Sequence, residues 1–239
     1  MSRMLRVTLI GLMAPFVLIA AAQSAQAERW HGADPGGDVI GSHYDPAPEP
    51  CGTFTDVDGS TDTNDDITDL TVRHTRKVVT ITVGFEDLDP TLEQYLTIHV
   101  GTPLLRGWSI DVSRSPAGKS RPPKVTTDLS KEPRFPDPTD PPDDPDGCGW
   151  FTSVIDVSCR RLHTDVDLDA DLVRVSVPRT CLRNPPWVRV GVTSTGFVNG
   201  ADQTFSVFYD WWGTPEEGES SWLPPLSPPV PAGPGPQNG

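Results

Sequence analysis

Apolar and polar side chains alternate along much of the chain. The clearest stretch covers residues 67–100, in which three alternating segments are joined by short polar connections. In the second segment, Val79, Ile81, Val83 and Phe85 alternate with threonine and glycine. A period of two places successive side chains on opposite faces of a strand, and β-branched residues favour that conformation. The stretch therefore predicts three strands at the centre of a sandwich sheet.

The same alternation recurs in later segments. They lie around Trp108, Trp150, Leu162, Leu172, Trp187 and Phe205. Beyond the first 27 residues, no segment shows a sustained apolar period of about 3.6 residues, the helical repeat. About nine short strands separated by turns are typical of a two-sheet antiparallel sandwich. The sequence thus predicts an all-β fold, jelly-roll-like or immunoglobulin-like, in which segments 173–177 and 188–192 pair with the central strands.

Proline and acidic residues interrupt this pattern in three places. Residues 28–50 are rich in Gly, Pro and Asp and predict an extended N-terminal arm. Residues 113–147 include the run RFPDPTDPPDDPD and predict a long irregular loop, because proline removes ladder hydrogen bonds. Residues 213–239 predict a disordered, proline-rich tail. The β-sandwich domain accordingly spans residues 51–212.

The N-terminus has the pattern of a cleaved export signal. Arg3 and Arg6 precede an apolar run, and a small-residue A-x-A sequence follows at 25–27. An uncleaved membrane anchor is the alternative, but the apolar run is short for a spanning helix. We therefore expect residues 1–27 to be removed as a signal peptide, leaving a secreted protein that does not insert into the membrane.

All four cysteines follow the predicted signal, and an even number in an exported chain indicates two disulfides. The sequence favours Cys159–Cys181, which would join the ends of neighbouring C-terminal strands, and leaves Cys51–Cys148 by default. The other connectivities stay open. No C-x-x-C spacing supports a zinc site.

The formal net charge is −14, and loss of the signal removes two arginines to leave −16. A chain this acidic repels nucleic acid and anionic lipid. The partners compatible with its charge are cations, basic proteins and neutral ligands.

Acidic residues crowd the segment before the first central strand and suggest a metal site. The candidate ligands are Asp56, Asp58, Asp62, Asn64 and Asp66. Calcium takes six to eight oxygen ligands, and Asp62-x-Asn64-x-Asp66 resembles the first half of a helix-loop-helix calcium loop. The remainder of that motif is missing, since Ile67 replaces the glycine and Arg73 the bidentate glutamate. Two interpretations remain open: a calcium loop of a β-sandwich, and a solvated acidic turn whose side chains cap their own backbone.

Aromatic side chains offer a second kind of site. Trp187 is predicted to face outward and Trp212 lies at the end of the last strand, so both are candidates for stacking on a glycan. Packing against the core is the alternative for such large rings. No G-x-S-x-G, H-E-x-x-H or phosphate-binding loop is present, and the sequence therefore indicates no catalytic residue.

Several stretches resemble uncharacterised secreted β-sandwich proteins of high-GC Gram-positive bacteria. They are the signal peptide, the run DPGGD at 34–38, the stretch DDITDLTVRH at 65–74, and VPRTCL at 177–182 followed by PWVRV at 186–190. The resemblance implies a β-sandwich and transfers neither an activity nor a functional residue.

Together these features predict a secreted, non-catalytic β-sandwich with a binding or structural role at the cell envelope or outside the cell, stabilised by calcium if the acidic segment binds it. A glycan or an extracellular protein would be its partner. One alternative is a secreted hydrolase or its carbohydrate-binding accessory module. Another is an inhibitor of an extracellular protease, because proline-rich loops can present a bait segment.

Overall fold

A computed structural model describes residues 29–46, 52–102, 107–116, 122–131, 155–200, 203–213 and 224–233. Within these ranges the chain forms fourteen β-strands and no helix, which confirms the predicted all-β class. No helix long and apolar enough to cross a membrane occurs in this part of the chain.

The strands divide between two antiparallel sheets. In chain order they are β1 (Arg29–Ala33), β2 (Ile40–Asp45), β3 (Thr53–Asp58), β4 (Ile67–His74), β5 (Val78–Phe85), β6 (Gln94–Gly101), β7 (Trp108–Ser115), β8 (Lys124–Lys131), β9 (Ile155–Asp156), β10 (His163–Asp167), β11 (Leu172–Pro178), β12 (Trp187–Asn199), β13 (Phe205–Trp211) and β14 (Val230–Pro231). The smaller sheet has the order β1-β4-β5-β11-β10. The larger has the order β3-β2-β13-β12-β6-β7-β8-β9, and β14 pairs with β12.

One core lies between the two sheets, built from the alternating apolar positions. Ile81 and Val83 of β5 and Val190 and Val192 of β12 all belong to this core, and all four side chains are fully buried. Each such side chain contributes roughly 1.5–3 kcal/mol through burial. The periodicity of the sequence therefore identifies the core positions correctly.

The three central strands do not share one sheet, contrary to the prediction. β4 and β5 form a hairpin in the smaller sheet, whereas β6 belongs to the larger sheet. The connection 86–93, which contains Pro90, carries the chain between the sheets. The predicted partners are nonetheless right, because β11 pairs with β5 and β12 pairs with β6.

Strands also occur in segments predicted to be irregular. β1 and β2 lie in the predicted arm, and β8 lies in the predicted loop 113–147. β8 is mostly polar, and Leu129 is its one buried large apolar residue, so the alternation that marks a strand is weak there. Residues 132–147 of that loop lie outside the described ranges.

Part of the predicted disordered tail packs onto the sandwich. Val230 of β14 is 2% exposed, and its carbonyl is 2.9 Å from Nδ1 of the buried His74. The Ser227 N–H donates to the carbonyl of Val190. Proline does not prevent these contacts because an extended segment needs few donors of its own to pair with a strand.

The disulfide Cys159–Cys181 is present as predicted, with a Cα–Cα distance of 5.7 Å. It joins the segment before β10 to the segment after β11, two neighbouring strands. Cys51 and Cys148, the other predicted pair, lie outside the described residues.

Candidate metal centre

Four aspartates come together where the chain crosses between the sheets. Asp34 and Asp38 lie on the connection from β1 to β2, Asp66 immediately precedes β4, and Asp210 lies near the end of β13. β1 and β4 belong to the smaller sheet, and β2 and β13 to the larger. We refer to these four residues as the aspartate cluster.

A tight turn wraps the first part of the cluster around Asp66. Gly37 has a φ of +80°, in the left-handed region that favours glycine. Its N–H donates to Oδ2 of Asp66 at 2.6 Å. The sequence Asp34-Pro-Gly-Gly-Asp38 therefore brings two carboxylates and a backbone donor to one side chain.

Each buried carboxylate of the cluster also accepts a backbone hydrogen bond from a distant segment. Oδ2 of Asp210 accepts from the N–H of Ile67 at 2.7 Å, and Oδ1 of Asp34 accepts from the N–H of Gly213 at 3.0 Å. The second oxygens of Asp34 and Asp66 are buried and have no hydrogen-bond donor. Burial of an unpaired carboxylate oxygen is costly, so these two atoms need a positively charged or donating partner.

The spacing of the carboxylates fits one cation. One oxygen from each of Asp38, Asp66 and Asp210 lies within 4.8 Å of the others. Calcium binds oxygen at about 2.3–2.6 Å, so two ligands on opposite sides of the ion are about 5 Å apart. A single calcium ion can therefore contact all three side chains.

The charges of the cluster are unbalanced. Asp66 is 1% and Asp210 2% exposed. Burial, reinforced by the neighbouring carboxylates, raises the pKa of Asp210 to about 8 and that of Asp34 to about 7. The same two causes raise the pKa of Asp38 and Asp66, where Glu86 is the added carboxylate beside Asp66. Among the described residues, no lysine or arginine forms an ion pair with the cluster.

The neighbouring buried Asp65 differs from the aspartate cluster in having an arginine close to it. Asp65 is 2% exposed, and its Oδ1 accepts from the hydroxyl of Ser194 at 2.8 Å. The buried Arg114 lies beside it and donates to Oδ1 of Asn64 at 2.7 Å and to the carbonyl of Asp89 at 2.6 Å. Asp65 therefore has a protein cation in its surroundings, which the aspartate cluster lacks in the described part of the chain.

The structure distributes the predicted metal ligands among different roles. Asp66 joins the aspartate cluster. Asp56 and Asp58 lie on the exposed edge strand β3, and Asp58 accepts hydrogen bonds from the N–H and hydroxyl of Ser60.

The other two predicted ligands hold the connection between β3 and β4. Oδ1 of Asp62 accepts from the N–H groups of Asn64 and Asp65, as expected for a side chain that caps an acidic turn. Oδ1 of Asn64 accepts from Arg114 and from the N–H of Asp89. Both side chains thereby fix the backbone that leads into Asp66.

Sequence reasoning missed three members of the cluster. Asp34 and Asp38 stand in a run that reads as ordinary turn chemistry, and only their spacing around Pro-Gly-Gly hinted at a site. Asp210 alternates with Val207 and Tyr209, which puts its side chain on the inner face of β13. From the sequence, alternation would place the apolar Phe205, Val207 and Tyr209 inward and Asp210 outward, so the local pattern carried no signal for it.

The two tryptophans predicted to stack on a glycan lie in different environments. Trp212 packs edge-on against Trp30 with ring centroids 5.0 Å apart, and its indole N–H donates to the carbonyl of Gly32. Trp187 is half-buried beside Pro231 of β14. Trp212 is half-buried like Trp187, and one edge of its ring packs inside the protein.

No protein-family model, curated protein or solved structure matches this chain. The fold and the site alone define its class: an acidic, disulfide-containing two-sheet β-sandwich with a buried aspartate cluster at a crossing between the sheets.

Without a cation, the protein should lose stability as the pH rises from about 6.5 to 8. The pKa values of Asp34 and Asp210 lie near 7 and 8 in the folded state and return towards 3.8 on unfolding. The folded state then holds protons that the unfolded state has released, so stability falls as these protons leave. Burial lowers the pKa of His74, so this side chain makes stability rise with pH, but only below about pH 6.5. We expect the Tm in EDTA to drop by several degrees across this pH range. A constant or rising Tm would show that the pKa values of Asp34 and Asp210 are not raised in the folded protein.

Proposed function

We propose that the protein is an exported, non-catalytic β-sandwich with a binding or structural role at or outside the cell envelope, and that calcium stabilises its fold at the aspartate cluster. The observation that carries the proposal is the group of buried carboxylates without a protein counter-charge, two of whose oxygens have no donor. The disulfide supports export, because such bonds persist in oxidising surroundings.

The chemistry of the ligands favours calcium over softer metals. The cluster offers only carboxylate oxygens, and neither histidine nor cysteine belongs to it. Oxygen-only sites suit hard cations, whereas zinc and copper prefer nitrogen and sulfur. Calcium sites of extracellular modules bind with dissociation constants of about 10⁻⁴–10⁻³ M. We expect an affinity in that range.

The position of the cluster gives the ion a structural role. An ion held by Asp38, Asp66 and Asp210 would join the β1–β2 connection, the start of β4 and the end of β13. These segments belong to both sheets, so the ion would tie the sheets together at one end of the sandwich. The burial of Asp66 and Asp210 also supports a non-catalytic role, since a catalytic carboxylate must reach its substrate.

Thermal unfolding with calcium and with EDTA tests the proposal. At a calcium concentration 100 times the dissociation constant, binding to the folded state contributes about 2.7 kcal/mol. For a domain of this size we expect the Tm to rise by roughly 5–10 °C. Magnesium should produce a smaller rise, because it dehydrates reluctantly. Equal Tm values in EDTA and in about 100 mM calcium, which is 100 times the weakest dissociation constant expected, would refute the calcium site.

A further inference from the structure

Five aromatic rings cross the outer face of the larger sheet in a continuous row. They are Phe54, Tyr44, Phe205, Phe197 and Tyr95, on the successive neighbours β3, β2, β13, β12 and β6. The centroid distances along the row are 4.9, 4.9, 6.2 and 5.5 Å. We refer to this row as the aromatic strip.

The strip points away from the core and stays exposed. Leu96, next to Tyr95 on β6, is buried, and so are Ser194 and Gly196, which lie on the face of β12 opposite to Phe197; Tyr95 and Phe197 therefore point outward. Phe54 is 60%, Tyr95 39% and Phe197 37% exposed. Contact among the rings therefore leaves much of their surface in water, and such an apolar row on a soluble domain marks an interaction site.

The charges around the aromatic strip favour a basic partner. Asp56 follows Phe54 on the same face of β3, and Glu93 accepts a hydrogen bond from the Tyr95 hydroxyl at 2.7 Å. Carboxylates thus stand at both ends of the row, on a chain of net charge −14. A second copy of this chain and any anionic polymer would be repelled, whereas a basic partner would be attracted.

The tilt between successive rings favours a polypeptide over a glycan as the ligand of the strip. Consecutive rings are tilted by 46°, 30°, 53° and 88° relative to one another. A flat sugar chain needs ring faces that lie roughly in one plane, which this row does not provide. Separate protruding side chains can enter between tilted rings, and guanidinium groups both stack on aromatic faces and pair with carboxylates.

We propose that the aromatic strip docks a basic, arginine-containing polypeptide segment. This role goes beyond the calcium site and does not require it, since the strip lies on the face of β13 opposite to the side chain of Asp210. Arginine side chains of the partner lie over the rings, and the carboxylates at the two ends fix its register.

Fluorescence polarisation with labelled octa-arginine tests the proposal, using the mature protein in saturating calcium. The double variant Phe54→Ala/Tyr95→Ala keeps every charge and should weaken binding at least fivefold. Both side chains are exposed, so its Tm should stay close to that of the wild type. The matched control Asp165→Asn/Asp167→Asn removes two charges from the exposed edge strand β10 of the other sheet and should change the affinity less than twofold.

The same experiment contains the outcomes that overturn the proposal. If the control weakens binding as much as the double variant does, the attraction is general electrostatics. Octa-lysine should bind less tightly than octa-arginine, and equal affinities would remove the role of ring stacking. Binding of cellohexaose or chitohexaose that is lost in the double variant would assign the strip to a glycan. A dimer that dissociates in the double variant, measured by sedimentation, would assign it to self-association.

Discussion

Replacing Asp210 by Asn should raise the stability of the calcium-free protein and lower that of the calcium-saturated protein. Asparagine keeps the shape of the side chain and an oxygen that accepts from the N–H of Ile67. It removes one charge from a buried group of like charges, which should contribute about 2 kcal/mol in EDTA at pH 8.5. In calcium it removes a ligand and most of the stabilisation that the ion provides.

The opposite effects of Asp210→Asn on stability with and without calcium distinguish a metal ligand from an ordinary buried carboxylate. The measurement is urea unfolding of both proteins at pH 8.5, with EDTA and with calcium. Asp165→Asn on the exposed β10 serves as control and should change stability by less than 0.5 kcal/mol in either condition. A variant that is less stable than the wild type in both conditions would show that Asp210 acts only through its hydrogen bond to Ile67.

Replacing Arg114 by Met should destabilise the protein by about 3–5 kcal/mol, whether or not calcium is present. Arg114 is 1% exposed and donates to Asn64 and to the carbonyl of Asp89. Methionine fills much of its volume but leaves the charge of Asp65 without a cation, and it removes one of the two donors from both Oδ1 of Asn64 and the carbonyl of Asp89. Breaking a buried charge network from one side is far more costly than removing a surface charge.

Two comparisons make the Arg114 prediction specific. Arg174→Met alters an exposed residue of β11 and should cost less than 0.5 kcal/mol. The double variant Arg114→Met/Asp65→Asn should recover part of the loss, because it neutralises the carboxyl left without a partner. Denaturant unfolding measures all three. A loss below 1 kcal/mol for Arg114→Met would mean that water reaches Asp65 and replaces the guanidinium.

The strands that could be predicted from the sequence are those with one buried and one polar face. β5, β11 and β12 each alternate over at least six residues, so local pattern is sufficient to identify them. β3 has no buried residue and β8 buries few, and neither shows the pattern. Such strands are held by hydrogen bonds to their neighbours, which the local sequence does not reveal.

The site was predictable only in part for a related reason. Asp66 stood out because acids crowd the sequence around it, and that crowding also drew attention to Asp58 and Asp62, which cap turns instead. Asp210 meets the start of β4 across a separation of 143 residues. Pairing over that distance depends on the sheet order, which periodicity does not specify.

Isothermal titration calorimetry of the mature protein with calcium tests the central claim most directly. The wild type should bind one ion per chain with a dissociation constant in the range of 10⁻⁴–10⁻³ M, and Asp66→Asn should bind none in that range. Asp165→Asn, which alters an exposed residue of β10 away from the cluster, should bind one ion as the wild type does. Absence of binding to the wild type, or unchanged binding to Asp66→Asn, would contradict the account.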